Sequence, residues 1–164
     1  MTGLYDSDFL AWTKEQATAL RSAAQPGSNR ALDWENLAEE IESLGISQKS
    51  ALGSQIRRIM HHLLKLQYSR ARDPRRGWQE SIVDAQGEID DLLERSPSLA
   101  REVDNEIARQ LKHSVRSALR DLENYGKLDP PTASALRATT FTRDQIVGDW
   151  FPPEPAPRGR AEKL

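Results

Sequence analysis

The sequence predicts an all-α fold: an antiparallel, up-and-down bundle of four to five long helices with one or two short helices at the C-terminal end. Three observations carry that reading. Apolar residues return every three or four positions along most of the chain, the period of one helical face. Val, Ile and Thr never cluster with the period of two that a half-buried strand requires. Helix start signals punctuate the runs: Asp73-Pro74, Ser96-Pro97, Asp129-Pro130 and Thr142 with Gln145.

The first helix is predicted from about Ser7 to Ala24, with Asp6 as N-cap and Tyr5 and Leu10 at staple spacing. Phe9, Thr13, Ala17, Leu20 and Ala24 share one face, with Trp12 at its margin, and QPGSNR ends it. The second starts after Asp33, with Leu32 and Leu37 at staple spacing and Trp34, Leu37, Ile41 and Leu44 as its stripe. Gly45 and Ser47 either close this helix or mark a soft spot in one helix reaching about Arg70; the stripe turns by only ~60° there and fits both. Leu52, Ile56, Ile59, Met60, Leu63, Leu64 and Leu66 continue it.

RARDPRRG interrupts the pattern, and Asp73-Pro74 reads as an N-cap followed by Pro at the first helical position. Trp78, Ile82, Ala85, Ile89, Leu92 and Leu93 then face inward. After Ser96-Pro97 a long helix carries Leu99, Val103, Ile107, Leu111, Val115, Ala118, Leu122 and Tyr125 on one side, with Gly126 as a stop. Asp129-Pro130 opens a short helix. Thr142 and Gln145 form a capping box for another, in which Phe141 can staple Ile146. Residues 1–151 thus make one domain, and the Pro-rich, charged tail 152–164 has little to bury.

Composition narrows function. The formal net charge of −2 argues against a global polycation for nucleic acid. The absence of cysteine removes disulfides, thiolate zinc sites and thiol catalysis, and fits a reducing cytoplasm. No apolar run approaches the ~20 residues of a membrane span, and the start MTGLYDSDF does not read as a signal peptide. Serine-hydrolase, P-loop, Rossmann and zinc-finger patterns are missing.

The segment RRIMHHLLKLQY raises the question of a metal site, because it places His61 beside His62. On a helical wheel His61 falls with Arg58 and Lys65 on the wet side, whereas His62 falls at the stripe's edge. Adjacent helical residues point ~100° apart and do not readily share one ion, since helical ligands want i, i+3 or i, i+4 spacing. A surface histidine next to a boundary histidine is the ordinary reading. The metal reading would add Glu39 and Glu40 to His62, and with Glu39-x-x-Glu42 and Glu88-x-x-Asp91 it extends to a magnesium-dependent, nucleotide-directed hydrolase. No Glu-x-x-His motif of the di-iron bundle type occurs. Charge is segregated: residues 33–44 carry five acids and no base, whereas Arg70, Arg72, Arg75 and Arg76 stand against Asp73 alone. That basic stretch reads either as a phosphate or nucleic-acid patch or as a helix end lying between acidic neighbours.

AEEIESLG at 38–45, HHLLKLQY at 61–68, Trp78 and SPSL at 96–99 resemble a bacterial family catalogued as domain of unknown function 29. So do the opening Tyr5, Asp6, Asp8, Phe9 and Trp12 and the closing FTRDQIVGDWFP. The resemblance covers almost the whole chain to about Pro153, and departs at Leu66, where Trp is expected, and at Gln86, where Arg is expected. It implies an all-helical, single-domain protein with no established activity and no catalytic residue to carry over. The recurring phrases coincide with Glu39, Glu40, His62, Lys65 and Trp78, which makes these the candidate functional residues.

Taken together, the sequence points to a cytoplasmic, non-enzymatic helical module without cofactor that binds a protein partner or its own copy. Apolar edges such as Trp12, Trp34 and Trp150–Phe151 are the candidate interface. The alternatives are a metal-dependent hydrolase using Glu39, Glu40 and His62, and nucleic-acid binding through Arg70 to Arg76.

Overall fold

A computed structural model describes residues 3–24, 33–124 and 128–155. The loop QPGSNR, the Leu32 staple, Tyr125, the Gly126 stop and the tail beyond residue 155 lie outside the described residues. Regular structure among the described residues is entirely helical. The order is α1 Leu4–Ser7, α2 Phe9–Ala23, α3 Trp34–Tyr68, α4 Arg75–Arg95, a 3₁₀ segment Pro97–Glu102, α5 Val103–Asn124, α6 Pro130–Ala138 and α7 Arg143–Val147. Among these helices none is long and apolar enough to cross a membrane.

The first helix breaks where Asp8 adopts extended backbone, so Asp6 lies inside α1 and Asp8 is the cap of α2, accepting from Ala11 N at 2.9 Å. Its carboxylate also accepts from Ser98 N at 2.8 Å and Ser98 Oγ at 2.9 Å, which ties the start of α2 to the turn before α5. Partial burial opposes ionisation of Asp8, but the Ala11 and Ser98 hydrogen bonds outweigh it and hold the carboxyl below its usual range. Tyr5 does not staple Leu10. It stays exposed and meets the ring of Trp12 edge-on at 4.9 Å.

The open choice at Gly45 resolves to a single helix, α3, of 35 residues and ~52 Å. Its cap is Asp33, accepting from Asn36 N. Gly45 serves contact and not termination: a Cβ there would lie 2.6 Å from Thr13 Oγ1 and 2.9 Å from Leu10 Cδ1 of α2. Gly53 allows the same close approach to Glu106 and Gln110 of α5. Because α2 settles against Ala38 and Gly45, the predicted inward stripe is rotated. Leu37 and Leu44 remain 41% and 47% exposed.

Asp73 does not cap α4, which starts after Pro74 without a side-chain cap. The corner is clamped from the other side. Arg75 is buried and its Nη1 donates to Leu66 O at 2.9 Å and Ser69 O at 3.4 Å, satisfying carbonyls at the end of α3. Ser96 likewise joins elements instead of capping one. Its hydroxyl accepts from Leu10 N at 3.2 Å and donates to Gln48 Oε1 at 3.1 Å. Asp129 caps α6, and Thr142 with Gln145 forms the capping box of α7, as the sequence predicts. Gln86 donates to Ile146 O and Gly148 O and secures the end of α7.

These contacts fix direction. α2 runs antiparallel to the first half of α3, since Leu10 meets Gly45 and Arg21 reaches Glu35 and Glu42. α4 runs antiparallel to the second half and ends at Gln48. α5 returns parallel to α3, pairing Gly53 with Glu106 and His61 with Asp121. The core sits around the second half of α3, where Leu52, Ile56, Ile59, Met60, Leu63 and Leu64 are completely buried with Ile82, Ile89, Leu99, Val103 and Ile146. Each such side chain is worth ~1.5–3 kcal/mol on burial. Pro152 is buried and Glu154 lies 3.4 Å from Arg75, so packing continues past residue 151.

The glycines give a paired test. Gly87→Ala faces open space and should stabilise the protein by ~0.5–1 kcal/mol through helix propensity, whereas Gly45→Ala should destabilise it by separating α2 from α3. Urea unfolding of the two variants checks the opposite signs.

Candidate functional site

The second half of α3 is covered by both α4 and α5, so more of its circumference is dry than one apolar stripe suggests. Two residues that the wheel places on the wet side turn inward as a result. Lys65 is only 8% exposed, and its ammonium lies 3.2 Å from Asp121 Oδ2 of α5 and 4.8 Å from the centre of the Trp78 ring of α4. His61 Nε2 lies 3.0 Å from the same carboxylate oxygen. One acid on α5 thus gathers a lysine and a histidine one turn apart on α3, and Trp78 closes the far side of the lysine. Lys65 and Trp78, both singled out by the family phrases, are brought together. Asp121 and His61 complete the group.

Burial pushes the His61 imidazole below its ordinary value, against the pull of Asp121. His62 is pushed down to about 4, first by burial and then by His61, Lys65 and Arg58. Its Nδ1 is buried without a hydrogen-bond partner, and its ring meets that of His61 at 5.3 Å. Both histidines are therefore neutral at pH 7. An ionised Asp121 only accepts, so His61 Nε2 carries the proton of the bond between them.

This geometry limits the chemistry. His61 Nε2 is committed to Asp121 and its Nδ1, though without a hydrogen-bond partner, is buried, so the ring turns no nitrogen to solvent where it could activate a nucleophile. Ser54 and Ser117 line the same groove, yet neither is hydrogen-bonded to His61. The group is built to hold charge in place.

The other predicted residues fall elsewhere. Glu39 and Glu40 are exposed in the first half of α3, and Glu40 is ~33 Å from His62 along that one helix. A hydrolase site made from Glu39, Glu40 and His62 would need a second chain. Among the described residues no three His, Cys, Asp or Glu side chains are placed to hold a metal ion. Within the basic stretch, Arg70 and Arg72 are exposed, Arg76 pairs with Glu80 at 2.9 Å, and Arg75 is consumed by the α3–α4 corner. Trp150 and Phe151 pack on the core, and Trp12 stacks with Phe9 at 5.7 Å. Sequence reasoning missed the buried Glu106, which Arg109 holds at 2.6 Å over Gly53. The i, i+3 spacing of Glu106 and Arg109 is a signal, but only Gly53 on another helix makes it a buried pair.

Comparison with known proteins gives a family and a fold. The family model described as "Domain of unknown function DUF29" matches residues 4–150. The chain is similar to an α-helical protein of unknown function from Rhodospirillum rubrum ATCC 11170, known from a crystal structure, with a TM-score of 0.65 and 24% identity. The similarity covers 93% of this chain and all of that one, and it shows the fold alone. No curated protein matches.

Two tests follow from the cluster. His62 has a folded-state pKa near 4 against an ordinary 6.5, so the unfolded chain binds the extra proton between those values. The resulting stability is complete above about pH 6.5 and is lost as pH falls through about 4. His62→Gln should flatten that part of the stability–pH profile in chemical denaturation. Lys65→Met should cost ~1–3 kcal/mol by leaving Asp121 short of a donor. A double-mutant cycle with Asp121→Asn should recover part of that loss.

Proposed function

The chain belongs to the DUF29 family of unknown function, and on that premise we propose that it is a non-enzymatic binding module that associates with a second copy of itself through the first half of α3. One observation carries this reading. Trp34, Leu37, Ile41 and Leu44 follow the three-four spacing of a helical seam, and α2 covers only its flank, leaving Leu37 and Leu44 41% and 47% exposed. Leucines two turns apart with open sides are knobs in need of holes, and the same seam on a second copy supplies them in antiparallel register.

The surrounding charge predicts how the contact behaves. Glu35 and Glu42 are drawn off by Arg21, but Glu39 and Glu40 have no ion-pair partner among the described residues. Two copies therefore bring like charges together, and the association is weak and strengthened by salt, which screens them. A foreign basic helix on the same seam would show the opposite salt dependence.

Sedimentation velocity across the micromolar range is the test. The expected result is a concentration-dependent rise in mass that grows with salt and disappears in Leu37→Glu/Leu44→Glu. A strict monomer at every concentration and salt overturns the proposal.

A further inference from the structure

We propose that the groove between α3 and α5 lined by Ser54, Arg57, Arg58, His61, Ser117 and Asp121 binds a small phosphate-bearing anion. The inference concerns the second half of α3 and is independent of the seam on its first half.

The basic run from Arg57 to Arg76 divides in the folded chain. Arg75 is spent on backbone carbonyls and Arg76 on Glu80, while Lys65 serves Asp121. Arg57 and Arg58 are different: both are exposed, and neither guanidinium has a salt bridge among the described residues. They line a shallow, open concavity of ≈ 410 Å³ between α3 and α5, a volume suited to a small molecule. Guanidinium forks match phosphate oxygens in pairs, and Ser54 and Ser117 add hydroxyl donors from opposite walls.

One acid, Asp121, lines the groove and would repel an anion. Its Oδ2 is already engaged by Lys65 at 3.2 Å and by His61 at 3.0 Å. In the lining, Arg57 and Arg58 against Asp121 leave an excess of one positive charge, and the buried Lys65 behind Asp121 adds a second, at a site whose histidine is neutral at pH 7. The buried ion pair thus has a second consequence: it removes the local obstacle to anion binding and fixes the wall on which the arginines stand. His61 has no free nitrogen facing the ligand, so the site binds and does not cleave.

Isothermal titration of the full-length chain with inorganic pyrophosphate tests the proposal, with orthophosphate and a single-stranded oligonucleotide titrated in parallel. Saturable binding of one pyrophosphate per chain is expected. Arg57→Gln/Arg58→Gln should weaken it at least about tenfold while leaving the thermal midpoint unchanged, since both side chains are exposed and unpaired. Asp121→Asn, where it folds, should tighten binding by removing the acid. The absence of saturable heat overturns the proposal. So does equal affinity in the arginine double variant, or binding of the oligonucleotide far tighter than of pyrophosphate.

Discussion

Seven apolar side chains buried between Leu52 and Leu66 fix where α4 and α5 lie, and with them nearly everything else. They span more than one face of α3, so a single neighbour cannot cover them. α4 takes one flank and α5 the other, and the close approach of α5 depends on Gly53. The first half of the same helix carries fewer large buried residues and gets one neighbour, α2, seated at Gly45. The asymmetry between a dry second half and an overhanging first half follows from how hydrophobic residues are distributed along one uninterrupted helix.

The placement of polar and apolar side chains follows the same division. Where α3 is enclosed, polar residues on its far side are trapped and must be satisfied, which is why Lys65 and His61 converge on Asp121. Where α3 overhangs, apolar residues stay wet, and Leu37 and Leu44 become a surface that another chain can cover. Joints between the halves are polar and shared. Asp8 caps α2 while holding Ser98, and Ser96 links Leu10 to Gln48. Such residues cannot be assigned to one element, and loss of any one loosens two.

Much of the fold is legible in the residues themselves. The periodicity of Leu52 to Leu66, the inward set Ile82, Ala85 and Ile89, the Asp129 cap and the Thr142–Gln145 box are local patterns with local causes. The site is less legible. A wheel drawn for α3 alone assumes one dry face, so it sends His61 and Lys65 to solvent, and it gives Leu37 the wrong prominence. Family phrases point to Lys65 and Trp78 without saying that they touch.

The sequence by itself determined the helices, the caps at Asp33, Asp129 and Thr142 and the residues that make the core, because these depend on neighbours within a turn or two. Tertiary structure alone decided that Gly45 is a contact and not an end, that Arg75 closes a corner, and that Asp121 meets His61 and Lys65 from 56 or more positions away. The physical reason is that burial of a polar group, and the removal of a charge from water, are properties of the space between helices, and no single helix contains that space.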